Sequence, residues 1–325
     1  MMSGMANAVF RMLAGQLSPN GAGGRLSILI YHRVFGTDDP LDTWDVTAAE
    51  FDAQMRVIAE NFTPLPLSEA VDRLRGGRLP PRAACVTFDD GYRDNAEVAL
   101  PILQRRRVPA TFFVATGYLD GGCMWNDKVV AALRAMPGPA LDLGSWGLPV
   151  FQLDGVDARR RAIQAILPAL KYLPGRERES RAGQLVSMAR LSALEGPMMA
   201  EAHVRALRAA GMEIGAHTVT HPMLTRVERA EARREITESG QRLADILREP
   251  VRLFAYPNGK PGQDYGPEHV SMVREAGYSA AASSVRGAAD ASTDLYQLPR
   301  FTPWDRTPTR FALRLLGNLR QPAPD

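Results

Sequence analysis

Cysteine is scarce: Cys85 and Cys123 are the only two in 325 residues, too few for a disulfide scaffold. Cys85 sits inside an apolar run and reads as a small buried thiol. Long hydrophobic runs are missing too, and no segment approaches the ~20 apolar residues of a membrane span. Near the N-terminus the apolar stretch Ala8–Ala14 is interrupted by Arg11, so it lacks the continuous core of a signal peptide. Export is therefore disfavoured, and a cytoplasmic location is the expectation. A charge of one sign is also wanting. The net charge is +3 with basic residues scattered along the chain, which argues against a nucleic-acid partner. No internal period of about 20–50 residues is visible, which excludes a solenoid. With 45% hydrophobic and 23% charged residues, the chain can bury one large core and suits a globular enzyme.

Histidine is rare as well, at five residues, yet two of the five stand four apart. These are His217 and His221, in His217-Thr218-Val219-Thr220-His221. That spacing predicts both imidazoles on one face of a helical turn, within reach of one cation. Upstream, the apolar strand Ala84-Cys85-Val86-Thr87-Phe88 runs into Asp89-Asp90-Gly91. Adjacent carboxylates repel, and are kept where a metal or a bound water uses the charge; the alternative is a plain Asp-Gly turn. Together the two segments offer an Asp-His-His metal set and one spare carboxylate. His203 and His269 lie among polar neighbours on helical faces and read as solvated.

Thr87-Phe88-Asp89-Asp90-Gly91 and His217-Thr218-x-x-His221 resemble the first two motifs of the polysaccharide deacetylase family (NodB homology, carbohydrate esterase 4), which removes N- or O-acetyl groups from sugars. The resemblance implies that Asp89 is the general base and that Asp90, His217 and His221 hold a metal. It spans roughly residues 25–305 and implies a distorted α/β barrel. Two imidazoles and one carboxylate with open positions make Zn2+ the expected ion.

The periodicity agrees with that architecture. A buried strand over Leu26–Tyr31 ends at His32, and Thr47 with Glu50 forms a capping box opening a helix over Phe51–Asn61. Helices near Leu67–Arg75 and Asn95–Arg106 flank the Asp89 strand, and Ala110–Val114 is the next strand. Alternating strands and helices predict a parallel barrel with its catalytic groups at the C-terminal strand ends. Residues 1–24 form an N-terminal extension, 25–122 and 201–305 the two parts of the barrel, 123–200 a helical insertion, and 306–325 a C-terminal helix and tail. The insertion is a surface appendage or a lid. Within it, Trp125 is a candidate sugar platform or a core residue. The basic amphipathic run Phe311–Arg320 is a packed terminal helix, with peripheral membrane contact as the alternative.

Two departures from the family pattern stand out. Tyr256-Pro257-Asn258-Gly259 resembles the third motif, but Ala255 occupies the place of its arginine and Asn258 that of its tyrosine. The last strand, Leu298-Pro299-Arg300-Phe301, lacks the histidine that protonates the leaving amine. In a closed barrel the first and last strands are neighbours, so His32, in a Tyr-His segment similar to that of some poly-N-acetylglucosamine deacetylases, is the expected general acid in a circularly rearranged motif order. Its alternative is a strand-end residue bonded to a loop. Arg300 is the candidate substitute for the lost arginine by pairing with Asp89, or else a surface ion pair. Trp304 follows at the rim as a substrate-facing candidate. The activity expected is metal-dependent deacetylation of an N-acetylated carbohydrate. The alternatives are hydrolysis of another linear or cyclic amide, and a carbohydrate-binding pseudoenzyme.

Overall fold

A computed structural model describes residues 4–42 and 44–321; the ends of the expected extension and tail, residues 1–3 and 322–325, lie outside the described residues. The chain divides into two units, Met1–Thr37 with Asp45–Asp120 and Met199–Asp325, and Asp38–Trp44 with Gly121–Met198.

The first unit is built on six parallel strands: β1 (Ser27–Tyr31), β2 (Ala83–Phe88), β3 (Ala110–Val114), β4 (Glu213–Ala216), β5 (Leu253–Ala255) and β6 (Ala280–Ala282). They pair in chain order, and the two-residue strand Thr63–Pro64 adds to the start of β2. Leu298–Phe301 then closes the ring. Leu298 N–H donates to Ala281 O (2.9 Å) on one side, and Phe301 N–H donates to Ile28 O (3.0 Å) on the other. The first and last strands are thus neighbours. β1 and β2 run in register, Tyr31 beside Phe88, so His32 and Asp89 leave adjacent strands at the same end.

Alternation along each strand sorts the side chains into two layers. Ile28, Cys85, Phe113, Leu253, Ala255, Ala280, Ala282 and Leu298 form one buried cluster, and the intervening Leu29, Val86, Phe88, Phe112, Val114, Phe254 and Ala281 belong to another. Helix α1 (Gly4–Leu17) precedes the first strand, and α2 (Ala48–Asn61), α3 (Leu67–Arg75) and α4 (Leu100–Arg106) come between β1 and the insertion. The capping box expected at Thr47 and Glu50 is present. The helix expected from Asn95 to Arg106 is not uniform: Asn95–Ala99 forms a π-helical turn ahead of α4, with Pro101 at the start of α4.

The second unit has its own core, in which Leu133, Ile163, Ile166, Leu170 and Leu185 of α5 (Trp125–Ala135), α6 (Gly155–Lys171) and α7 (Gly175–Met188) meet. It also takes in residues 38–44 and carries an antiparallel hairpin, Ala140–Asp142 with Val150–Gln152, that a purely helical insertion leaves out. The first unit resumes with α8 (Glu201–Ala209), α9 (Arg229–Leu247), α10 (Pro267–Glu275) and α11 (Pro308–Leu319).

Candidate active site

Asp89 continues β2 with the inward parity of Cys85 and Thr87, and its side chain is nearly sealed from solvent. Beneath it lies Arg300, also buried, which rules out the surface ion pair. The guanidinium donates from Nη1 to Asp89 Oδ1 and from Nη2 to Asp89 Oδ2, both at 2.7 Å. Nε donates to Ser283 O (2.8 Å) and Nη1 to Thr87 Oγ1 (3.1 Å). Every carboxylate oxygen of Asp89 is thereby engaged with the arginine. Burial alone would raise this carboxyl, but the charges of Arg300 and His217 and the arginine's hydrogen bonds outweigh it and hold the group below the usual range.

Asp90 turns the other way because its backbone is left-handed, at φ +77°. Gly91 follows at φ +91°, a conformation that favours glycine, and a Cβ there would press on Val114 Cγ1 at 3.0 Å. Asp90 Oδ1 is buried with no hydrogen-bond partner. It faces His221 Nε2 at 3.3 Å and His217 Nε2 at 3.5 Å. One ligand atom each from Asp90, His217 and His221 lies within 4.8 Å of the others, a group that can hold a metal ion. Burial opposes ionisation of Asp90, but the neighbouring histidines win and the carboxyl is strongly depressed.

The two histidines do not share a helical turn. Residues 217–221 form a loop after β4, with Thr218 at φ +64° and His221 at φ +53°, values outside any right-handed helix. What shapes the loop is Glu235 of α9. Its Oε2 accepts from Val219 N and Thr220 N, both at 2.8 Å, and its Oε1 accepts from Thr220 Oγ1 at 2.6 Å. Thr218 Oγ1 also accepts from His221 N (3.1 Å). His217 Nδ1 sits 2.7 Å from Ala255 O, so Nδ1 carries the proton and Nε2 is left as the free ligand atom. The position where the third motif lost its arginine thus still contributes, through its carbonyl. Burial, with His217 and His32 nearby, pushes His221 down to about 4 against the pull of Asp90, so its ring is neutral at neutral pH. For His217 burial acts in the same sense, but Asp89 and Asp90 outweigh it and raise the group.

His32 sits beside this cluster, half-buried, close enough for its charge to bear on Asp89, Asp90 and His221. Asn95 Nδ2 donates to its carbonyl (2.8 Å), and the next residue, Arg33, pairs with Asp94 at 2.8 Å. Neither Glu235 nor the Asp94–Asn95 pair was singled out by sequence. A lone Glu on a charged helix carries no signal, though Asp94-Asn95 just after the Asp-Asp-Gly segment was a local cue.

The remaining candidates are dispersed. Asn258 lies at φ +59° in the turn after β5, and its carbonyl accepts from Ser284 Oγ. Trp304 is exposed, with the Arg314 guanidinium 5.9 Å from its ring centroid. Trp125 belongs to the second unit, where Arg178 lies over its ring at 5.2 Å. His269 is buried rather than solvated: its Nδ1 accepts from Gly266 N (2.9 Å) at the start of α10. His203 does the same for Ala200 N (2.9 Å) before α8.

The family model described as polysaccharide deacetylase matches residues 76–145 and 157–281, more than half of the chain. A poly-beta-1,6-N-acetyl-D-glucosamine N-deacetylase of Staphylococcus aureus is 28% identical over 104 residues, covering 28% of this chain and 36% of the relative, so the chain spans about a third of the length of the curated relative it matches. Among solved structures, the Streptococcus pyogenes deacetylase PplD in complex with acetate superposes with TM-score 0.61 at 19% identity, covering 91% of this chain and 98% of its own. IcaB from Ammonifex degensii gives TM-score 0.57 at 18% identity, covering 92% and 98%. At these identities the two structures speak for the fold.

Proposed function

The chain belongs to the polysaccharide deacetylase family, and from that premise we propose that it is a metal-dependent hydrolase removing acetyl groups from N-acetylated sugars, with polymers or lipid-linked forms of N-acetylglucosamine as the substrate class. One observation carries the reading. Of two adjacent buried carboxylates, Asp89 has both oxygens bonded to Arg300, whereas Asp90 Oδ1 has no hydrogen bond and faces two imidazole Nε2 atoms. Such a division suits one ligand and one base better than two structural acids.

In this reading Asp90, His217 and His221 hold the cation, with Zn2+ the ion that a two-imidazole, one-carboxylate set favours. When bound, it supplies Lewis-acid polarisation of the acetyl carbonyl and acidification of water. Asp89 accepts the proton of the attacking water, kept ionised and oriented by Arg300. His32 donates a proton to the departing amine from the neighbouring strand end. The backbone N–H of Asn258, following Pro257, would serve as the oxyanion donor, a role that needs no particular side chain.

The test is acetate release from N-acetylglucosamine oligomers by protein stripped with a chelator and then reloaded. Activity lost on stripping and restored by Zn2+ is expected. A reloaded, folded protein that releases no acetate from any N-acetylated sugar, polymeric or lipid-linked, would leave the reading without support.

A further inference from the structure

Among the described residues, the large apolar side chains that the barrel unit leaves in solvent lie on or beside α1 and α11, which pack together. Val9 (49% exposed), Met12 (57%) and Leu13 (37%) lie on α1, Leu313 (61%) on α11, and Trp304 (67%) on the approach to α11. The other exposed large apolar residues, Trp44, Val150, Val156, Tyr172 and Met188, all belong to the second unit. α1 already spends Phe10 and Ala14 on the core, so its exposed set is a second apolar face on the same helix. A helix apolar on both faces needs a second apolar neighbour. α11 likewise turns Phe311, Ala312, Leu315 and Leu319 inward and Leu313 outward, and it packs beside α1.

The charge contributed by the two helices themselves is positive. Neither Gly4–Leu17 nor Arg306–Leu319 contains an aspartate or glutamate, while Arg11, Arg306, Arg310, Arg314 and Arg320 lie on or beside the two helices. Arg306 and Arg314 pair with Glu50 and Asp305. Arg11, Arg310 and Arg320 are exposed with no carboxylate partner among the described residues.

We propose that the α1/α11 face is a docking surface for an anionic phospholipid bilayer. Val9, Met12, Leu13 and Leu313 enter the boundary between headgroups and acyl chains, and the flanking arginines meet lipid phosphates with their stems along the apolar surface. Among the described residues no helix is long and apolar enough to cross a membrane, so the contact proposed is with the bilayer surface. A second copy of the chain is the poorer occupant. A two-fold contact would set Arg11, Arg310 and Arg320, which have no carboxylate partner among the described residues, against their own copies. The inference is independent of the chemistry assigned to the metal-binding cluster.

Vesicle flotation tests it. The full chain should float with vesicles of phosphatidylcholine plus phosphatidylglycerol, bind phosphatidylcholine alone weakly, and detach as salt is raised. The double variant Met12→Asp, Leu313→Asp should partition about tenfold less or weaker still. Both positions are exposed, so its circular dichroism and its acetate release from a soluble substrate should match the parent. Failure of the parent to float with anionic vesicles overturns the proposal, as does a folded double variant that floats equally well. A concentration-dependent dimer in sedimentation that the double variant abolishes, with no vesicle binding by the parent, would assign the face to self-association and overturn it too.

Discussion

Arg300 is the residue on which the site turns, because it engages both oxygens of Asp89 while the neighbouring Asp90 Oδ1 has no hydrogen bond. Removing it strands a buried carboxylate, so Arg300→Met should cost about 3–5 kcal/mol in urea unfolding. The pair should also mark the acid limb of stability. Asp89 is depressed in the folded state, so its contribution is complete above the unfolded value of about 3.9 and is lost as pH falls through the lower folded one. In metal-free protein, Asp89→Asn should flatten the fall in stability below about pH 4; an unchanged acid limb would show that the pair does not set it. With metal present, Asp89→Asn should keep stoichiometric zinc and lose kcat by roughly 10²-fold or more, whereas His217→Ala should lose the metal. His32→Ala should depress kcat on an amide more than on an activated aryl ester, whose leaving group needs no proton. Equal impairment on both would remove His32 from proton donation.

At the scale of elements, the loop after β4 is held in its irregular shape by a partner on another element. Glu235 satisfies two backbone N–H groups and one hydroxyl between the histidines. Glu235→Ala leaves those donors unpaired and frees the loop. Zinc affinity should weaken by about 10–100-fold while His217 and His221 remain in place. Calorimetric titration of zinc into the variant checks this, and an unchanged affinity would mean that the loop holds its shape without the carboxylate.

At the scale of the whole molecule, the two units have separate apolar cores. Ile163→Ala removes a fully buried side chain from the second core and should cost that unit about 2–5 kcal/mol. Hydrogen exchange should then quicken within Gly121–Met198 while β1–β6 keep their protection. Uniform loss of protection would instead mean one cooperative unit.

The alternation of strands and helices, the Asp89-Asp90-Gly91 strand end, the Thr47–Glu50 capping box and the His217–His221 pair were all legible in the chain, because each rests on local chemistry: side-chain period, turn residues, and acids placed together. The family resemblance extended that reading to metal and base. What lay beyond it depends on contacts between residues distant in sequence. Four-residue spacing suggested a helix for the histidines, but the bonds from Glu235 and the left-handed backbone at Thr218 and His221 made a loop. Arg300 lies 211 positions from Asp89, and sequence left it between a buried partner and a surface pair. Only closure of the ring through Leu298–Phe301 brings that arginine under the carboxylate, because interior positions on opposite ends of the chain become neighbours only when the sheet has curled round on itself.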